Sequence, residues 1–357
     1  MEIQSIDHIE FFAENAEEAA LGLRDLFGFT LAGRGGARTG LQGCESVLLR
    51  QHDITLLVTS ATSAGHRAAE YVERHGDGVG VIGLRVDDAQ AAFAQAVERG
   101  AAPVAPPEIL GPPGARTVFA SVSGFGDVEH RFVSRERPGG PFAPLIEETA
   151  RTRPAPGLFT AIDHLAVCVP AGTLKETVHT YENVFGLHQI YEEQIVVGSQ
   201  AMDSTVVQSD SGRLTLTLIE PDITRAPGQI DRFIATHDGA GVQHIAFLTG
   251  DILTAVPRSA ERGVRFLTTP SGYYDRLGPR LGPIGVPVEE LRGLGVLADR
   301  DHTGVMLQIF TESQHRRGTL FYELIDRRGA HTFGSNNIKA LYEAVDRRQT
   351  SKPAGHA

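Results

Sequence analysis

The chain has 357 residues, enough for roughly two to three domains. Its 41% hydrophobic and 22% charged composition is that of an ordinary globular protein and excludes a disordered chain, a collagen-like repeat and a disulfide scaffold. A formal charge of −11, with no basic stripe, argues against nucleic-acid binding, and no run approaches the ~20 apolar residues of a membrane-spanning helix.

In chain order, IDHIEFF at residues 6–12 alternates and predicts a half-buried strand, followed by the amphipathic helix AEEAALGLRDLFG and the short β-rich runs SVLLR and ITLLVTS. A second round follows, with VGVIGLRV, the helix DAQAAFAQAVERG, TVFASVS and VEHRFVS. The stretch 136–157 holds five of the nineteen prolines and is expected to be a linker. The pattern then restarts. IDHLAVC begins at residue 162 as IDHIEFF does at 6, NVFGL at 183 as DLFGF at 25, SAERGVRFL at 259 as AVERGAAPV at 96, and GTLFYELIDR at 318 as GDVEHRFVSR at 126. Four matches in one order, with offsets growing from 156 to 192, indicate a duplicated domain with later insertions. The largest growth places about thirty extra residues at 270–303, a Gly- and Pro-rich stretch read as an extended excursion with at most a short helix at 287–294.

The expected fold class is α+β, with two tandem domains, each a pair of βαβββ modules forming an open curved sheet. The boundaries are 1–135 for the N-terminal domain, 136–157 for the linker, 158–345 for the C-terminal domain with a final helix, and 346–357 for a disordered tail. Cys44 and Cys168 are too few for a disulfide framework, and MEIQSIDHIEFF has neither the basic start nor the apolar core of a secretion signal, so a cytoplasmic location is expected.

The two copies can be compared with each other. The second places His164, His244 and Glu323 as lone ionisable groups in apolar strands, whereas the matching positions of the first are His8, Val81 and Arg131. A lone strand histidine is ordinarily a hydrogen-bonded core group, but a carboxylate within LFYELI is costly to bury unpaired. Two imidazoles and one carboxylate on one face of a divalent ion leave open positions for a bidentate 2-oxo acid and dioxygen, the facial triad of non-haem Fe(II) oxygenases, although the same ligands also suit zinc. The second copy is therefore expected to hold a metal, and His8 none.

At these residues the chain resembles the 4-hydroxyphenylpyruvate dioxygenase family, of the vicinal oxygen chelate superfamily. The carriers are GAGVQHIAF (239–247), LQIFTE (307–312), FYELIDR (321–327) and FGSNNIKALYEAV (333–345), and the likeness covers nearly the whole chain. It implies Fe(II) on His164, His244 and Glu323, O2 as co-substrate, an aryl pyruvate substrate and a homodimer, with no nucleic-acid or membrane partner. The family decarboxylates 4-hydroxyphenylpyruvate with O2 and then either attacks the ring, giving homogentisate in tyrosine catabolism, or hydroxylates the benzylic carbon. The second outcome gives 4-hydroxymandelate, a precursor of hydroxyphenylglycine in peptide antibiotics.

The ring-attacking pattern GNFxxLF becomes Asn337-Ile338 and Leu341-Tyr342 here, and FPxNEP becomes LTLIEP, with Thr217 and Ile219 in place of Pro and Asn. Together with IVVGSQAMDSTVVQS (195–209), these substitutions resemble the hydroxymandelate-forming branch. The resemblance implies catalytic roles for Ile338, Tyr342 and Gln308, and substrate contacts from Ser204, Thr217, Ile219, Gln229, Gln243, Phe310, Phe333 and Asn337. Asn336 and Asn337 also suit a helix cap. A glyoxalase-type isomerase would draw ligands from both halves of a site, and a sequestering module would not need the triad. The 270–303 segment departs from the family pattern, so the exact aryl pyruvate stays open.

Overall fold

The structure is a computed structural model in which residues 1–149, 157–334 and 337–340 are described. The N-terminal half runs β1 (Ser5–Phe12), α1 (Ala16–Phe27), β2 (Thr30–Gly35), β3 (Cys44–Gln51), β4 (Ile54–Ala61) and α2 (Arg67–His75). It continues through β5 (Gly78–Arg85), α3 (Ala89–Glu98), β6 (Pro103–Leu110), β7 (Thr117–Ser123), β8 (Glu129–Arg135) and β9 (Glu147–Glu148). The C-terminal half runs β10 (Ala161–Cys168), α4 (Leu174–Thr180), β11 (His188–Val197), β12 (Gln200–Gln208), β13 (Thr215–Pro221), α5 (Gln229–His237) and β14 (Gly241–Leu248). After α6 (Ile252–Glu261) come α7 (Ser271–Asp275), α8 (Leu277–Leu281), α9 (Val288–Leu294), β15 (Leu297–Arg300), β16 (Val305–Phe310) and β17 (Phe321–Arg328).

The strand order β2-β3-β4-β1-β5-β8-β7-β6 of the first sheet recurs as β11-β12-β13-β10-β14-β17-β16-β15 in the second. Each centre is an antiparallel pair, β1/β5 or β10/β14, flanked by parallel contacts to β4 and β8, or β13 and β17. The sequence duplication is thus a duplication of topology, and the fold is α+β as expected. Two of the matched motifs mark helix ends. Gly28 and Gly186 have φ 76° and 71°, and Gly100 and Gly263 have φ 104° and 101°, left-handed positions where a side chain is strained.

Alternating burial, expected of IDHIEFF, gives way to an unbroken buried run from Asp7 to Phe12, and β14 is buried from Gly241 to Phe247. Both faces of these central strands are covered, so neither meets water. The two halves share one core. The Phe27 ring lies 4.7 Å from Tyr322, and Phe247 stacks on both Phe159 and Tyr322 at 5.4 Å. Among the described residues no helix is long and apolar enough to cross a membrane.

Two stretches differ from expectation. Within the stretch expected to be a linker, Phe142, Ala143 and Ile146 pack on Leu48 and Leu57, and β9 pairs with β2, so this part of it is folded against the first sheet. Prolines remove ladder donors without preventing burial. The 270–303 segment forms three short helices and an edge strand. Pro270 and Pro287 precede α7 and α9, while Gly282 and Gly295 close α8 and α9, so these residues punctuate helices instead of forbidding them. Residues 341–345 of the expected final helix and the expected tail at 346–357 lie outside the described residues.

Candidate metal centre and active site

The three ligand-type residues come from three adjacent strands. His164 on β10 pairs with Ala246 of β14, which pairs with Glu323 of β17, while His244 of β14 pairs with Ala166. The β10/β14 ladder slips twice, skipping Asp163 and Gln243. Each slip is a bulge, which lets two consecutive residues serve one place. Asp163 thereby reaches His164, and Gln243 reaches His244.

His164 Nε2 and His244 Nε2 lie 3.3 Å and 3.4 Å from the same atom, Glu323 Oε2. The other nitrogens are tied back. His164 Nδ1 bonds Asp163 Oδ1 at 2.7 Å, and His244 Nδ1 bonds Gln243 Oε1 at 3.3 Å. Acceptors on both Nδ1 atoms hold a ring proton there and turn both Nε2 atoms inward, towards Glu323. Asp163 is held in turn by Arg327, through Nε at 2.7 Å and Nη2 at 2.9 Å. The same guanidinium donates to the Ala330 and Thr332 carbonyls, fixing the loop that brings the Phe333 ring to 5.3 Å from His164. Gln308 Nε2 donates to Glu323 Oε1 at 2.8 Å, leaving Oε2 to the imidazoles.

Burial alone would push Glu323 up, but His164 and His244 bring it down to about 2. Burial pulls His164 down, and Glu323 and Asp163 outweigh it, lifting the imidazole to about 9. Burial dominates at His244 and keeps it below its ordinary value. The buried carboxylate is thus balanced by a proton on His164. A divalent cation would do the same with all three lone pairs turned on it, and the three ligand atoms lie within 4.8 Å of one another. The donor set fits a metal ion. Among the described residues no other group of His, Cys, Asp and Glu does so.

Ile195, Met202, Ser204, Thr217, Ile219, Gln243, Gln308, Phe310, Phe333 and Ile338 complete the cavity around the triad. The Thr217 hydroxyl is buried with no hydrogen-bond partner among the described residues. The space left beside the triad is about 30 Å³, the size of a water molecule. Phe333 and Ile338 are the part of the wall not held in a strand.

Two residues expected to face substrate stand elsewhere. Gln229 opens α5, its backbone N–H held by Gln200 Oε1 at 3.0 Å, and lines a neighbouring cleft that meets the cavity at Gln243. Asn337 is fully buried behind the wall, where its side chain bonds Gln308 instead of capping the helix. Tyr342 and Asn336 lie outside the described residues. Asp163 and Arg327 join the site without a signal of their own in the sequence, whereas Ile195 and Met202 fall within the stretch 195–209. The first two were nevertheless visible as letters common to both repeats, IDH and the closing Arg.

Residues 1–139 match the family described as hydroxyphenylpyruvate dioxygenase, N-terminal, and residues 161–309 match the glyoxalase/bleomycin resistance protein/dioxygenase superfamily. A probable 4-hydroxyphenylpyruvate dioxygenase 2 of Aspergillus fumigatus is 33% identical over 98% of this chain and 95% of its own. The 4-hydroxyphenylpyruvate dioxygenase of Danio rerio is 32% identical over 97% and 90%. A solved triple mutant of 4-hydroxymandelate synthase from Streptomyces coelicolor superposes with TM-score 0.90 at 42% identity, over 98% of this chain and 100% of that one. The Mn(II)-bound glyoxalase of Novosphingobium aromaticivorans, at 12% identity and TM-score 0.51 over 91% of this chain and 82% of its own, shares the fold alone. Repeated topology, a His/His/Glu centre in the second copy and these full-length likenesses agree: the chain belongs to the 4-hydroxyphenylpyruvate dioxygenase family and is a dioxygenase of that kind.

Proposed function

We propose that the chain converts 4-hydroxyphenylpyruvate and O2 to 4-hydroxymandelate and CO2, with Fe(II) on His164, His244 and Glu323. The observation that carries this reading is the joint presence of Thr217, Ile219 and Ile338 on the wall around the triad, where the ring-attacking pattern has Pro, Asn and Phe. The 42% identity to a 4-hydroxymandelate synthase mutant supports it.

Bound iron would supply the redox chemistry, chelating the 2-oxo acid and activating O2. The protein supplies shape and orientation. Asp163 and Gln243 fix the imidazoles, Gln308 holds one oxygen of Glu323, and Thr217, Ile219 and Ile338 line the same cavity. Ile338 is shorter than Phe and leaves the ring free to turn away, presenting the benzylic carbon to the centre. The unpartnered Thr217 hydroxyl offers a bond to a polar group of the substrate. Phe310, 5.9 Å from His244, and Phe333 keep the site dry.

The two possible products are isomers, so the test is anaerobic reconstitution with Fe(II), addition of substrate and O2, and chromatography before mass analysis. 4-Hydroxymandelate is the expected product. Homogentisate would overturn the product assignment and leave the metal centre standing. No turnover with iron bound would shift the substrate to another aryl pyruvate.

A further inference from the structure

The 270–303 segment contributes no residue to the wall of the metal cavity. It is nevertheless bonded to the centre. The Tyr273 hydroxyl of α7 accepts from the Ala298 N–H at 2.9 Å and from Arg280 Nη2 at 3.2 Å. Its single proton has two acceptors in reach, Asn337 Oδ1 at 2.6 Å and the Ala298 carbonyl at 2.8 Å. The Ala298 carbonyl also accepts from Arg280 Nη2 at 2.8 Å, so Asn337 Oδ1, the nearer acceptor and one with no other donor among the described residues, takes the proton. Asn337 Nδ2 then donates to Gln308 Oε1 at 2.8 Å, and Gln308 Nε2 donates to Glu323 Oε1 at 2.8 Å. Tyr273, Asn337, Gln308 and Glu323 are all buried.

We propose that Tyr273 and Arg280 are positioning residues for the metal carboxylate and for the wall at Ile338, acting through Asn337 and Gln308. The inference rests on the reading of the triad as a metal site. Every donor in the relay points from the Arg280 cation towards the Glu323 anion, so each bond polarises the next. The polarity also orients both amides. A flipped Gln308 would set its oxygen against the Glu323 carboxylate, and a flipped Asn337 would set its oxygen against that of Gln308. With the relay intact, Oε1 is committed to Gln308, and Oε2 is the oxygen near both imidazoles. Asn337 also directly precedes Ile338, so the same bonds anchor the turn that forms one wall of the cavity.

The test uses the full chain stripped of metal and titrated with Co(II), alongside product analysis of the Fe(II)-loaded enzyme. Tyr273→Phe keeps the ring and removes the proton; it is expected to weaken Co(II) binding about tenfold and to broaden the product ratio. Gln308→Met should weaken binding at least as much. Adding Tyr273→Phe to Gln308→Met should change Co(II) affinity no further, because the path is already cut. Arg280→Gln should give a smaller loss in the same direction. Tyr274→Phe, which removes the adjacent buried hydroxyl outside the relay, should leave both readouts unchanged. Wild-type Co(II) affinity in Tyr273→Phe, or additive losses in the double variant, would overturn the proposal. A wild-type chain that takes up no Co(II), or takes it up independently of Glu323, would instead overturn the metal reading beneath it.

Discussion

The centres of the two sheets repeat one arrangement and differ in how it is neutralised. In both, an Asp-His pair sits at a bulge and an Arg clamps the Asp: Asp7, His8 and Arg135 in the first, Asp163, His164 and Arg327 in the second. The register places Val81 where the other sheet has His244, and Arg131 where it has Glu323. Glu10 stands at the place of Ala166. Arg131 Nη1 bonds Glu10 Oε2 at 2.6 Å and lies 3.4 Å from His8 Nε2. The first sheet therefore carries its own cation among the side chains where the second gathers three ligand atoms. The imidazoles respond in opposite directions. Burial, reinforced by Arg131, holds His8 below its ordinary value, whereas Glu323 and Asp163 lift His164 despite burial. A buried anion needs a cation: the first copy takes it from its own chain, as Arg131, and the second has the ligand atoms to take one from solution.

The sharpest way to break this comparison is to remove an anion from each centre. Glu323→Ala should abolish turnover, by more than about a hundredfold, since a ligand matters more than the groups that orient it. Glu10→Gln combined with Arg131→Met, which removes both charges of the other centre, should leave the turnover rate unchanged. Next come the shared aspartates. Asp163→Asn should weaken metal binding by about ten- to a hundredfold, measured by chelator competition, while Asp7→Asn should lower the melting temperature and leave metal affinity intact. Equal effects on metal binding would mean that the first centre is not independent of the second.

Ile338→Phe should move the product ratio towards homogentisate by about tenfold, read by chromatography. Thr217→Val removes one hydrogen bond and should raise KM by roughly three- to tenfold with little change in kcat. A smaller effect concerns the contact between the halves. Burial, aided by His75, holds His237 down at about 4, and burial holds His130, bonded to Tyr181 across the domains, at about 3. Both groups are depressed, so the unfolded chain binds the extra protons. Their stabilisation is complete above pH ~6.5 and is lost as pH falls towards 4 and then 3. The melting temperature should therefore decline on acidification, and less so in His237→Phe.

The triad was legible in the sequence because the copies disagree there: a polar letter in an apolar strand gains meaning when its counterpart is Val81 or Arg131. The residues that orient the triad escaped for the opposite reason. Asp163 and Arg327 have identical counterparts in Asp7 and Arg135, and a search for differences passes over what both copies share. The Tyr273–Asn337 bond links residues distant in sequence, and no periodicity announces it. Gln229 and Asn337 show the limit of motif carry-over, which gives a position in the chain without saying which way a side chain turns. Strand alternation failed at the sheet centres because both faces there are covered.

The most direct test of the account is the metal content of the chain itself. Metal-free protein saturated with Fe(II) under anaerobic conditions, desalted and measured by elemental analysis, should hold one ion per chain, none in Glu323→Ala, and one in the Glu10→Gln/Arg131→Met variant. Two ions in the wild type, or one that survives loss of Glu323, would contradict the assignment of a solution metal to the second sheet alone.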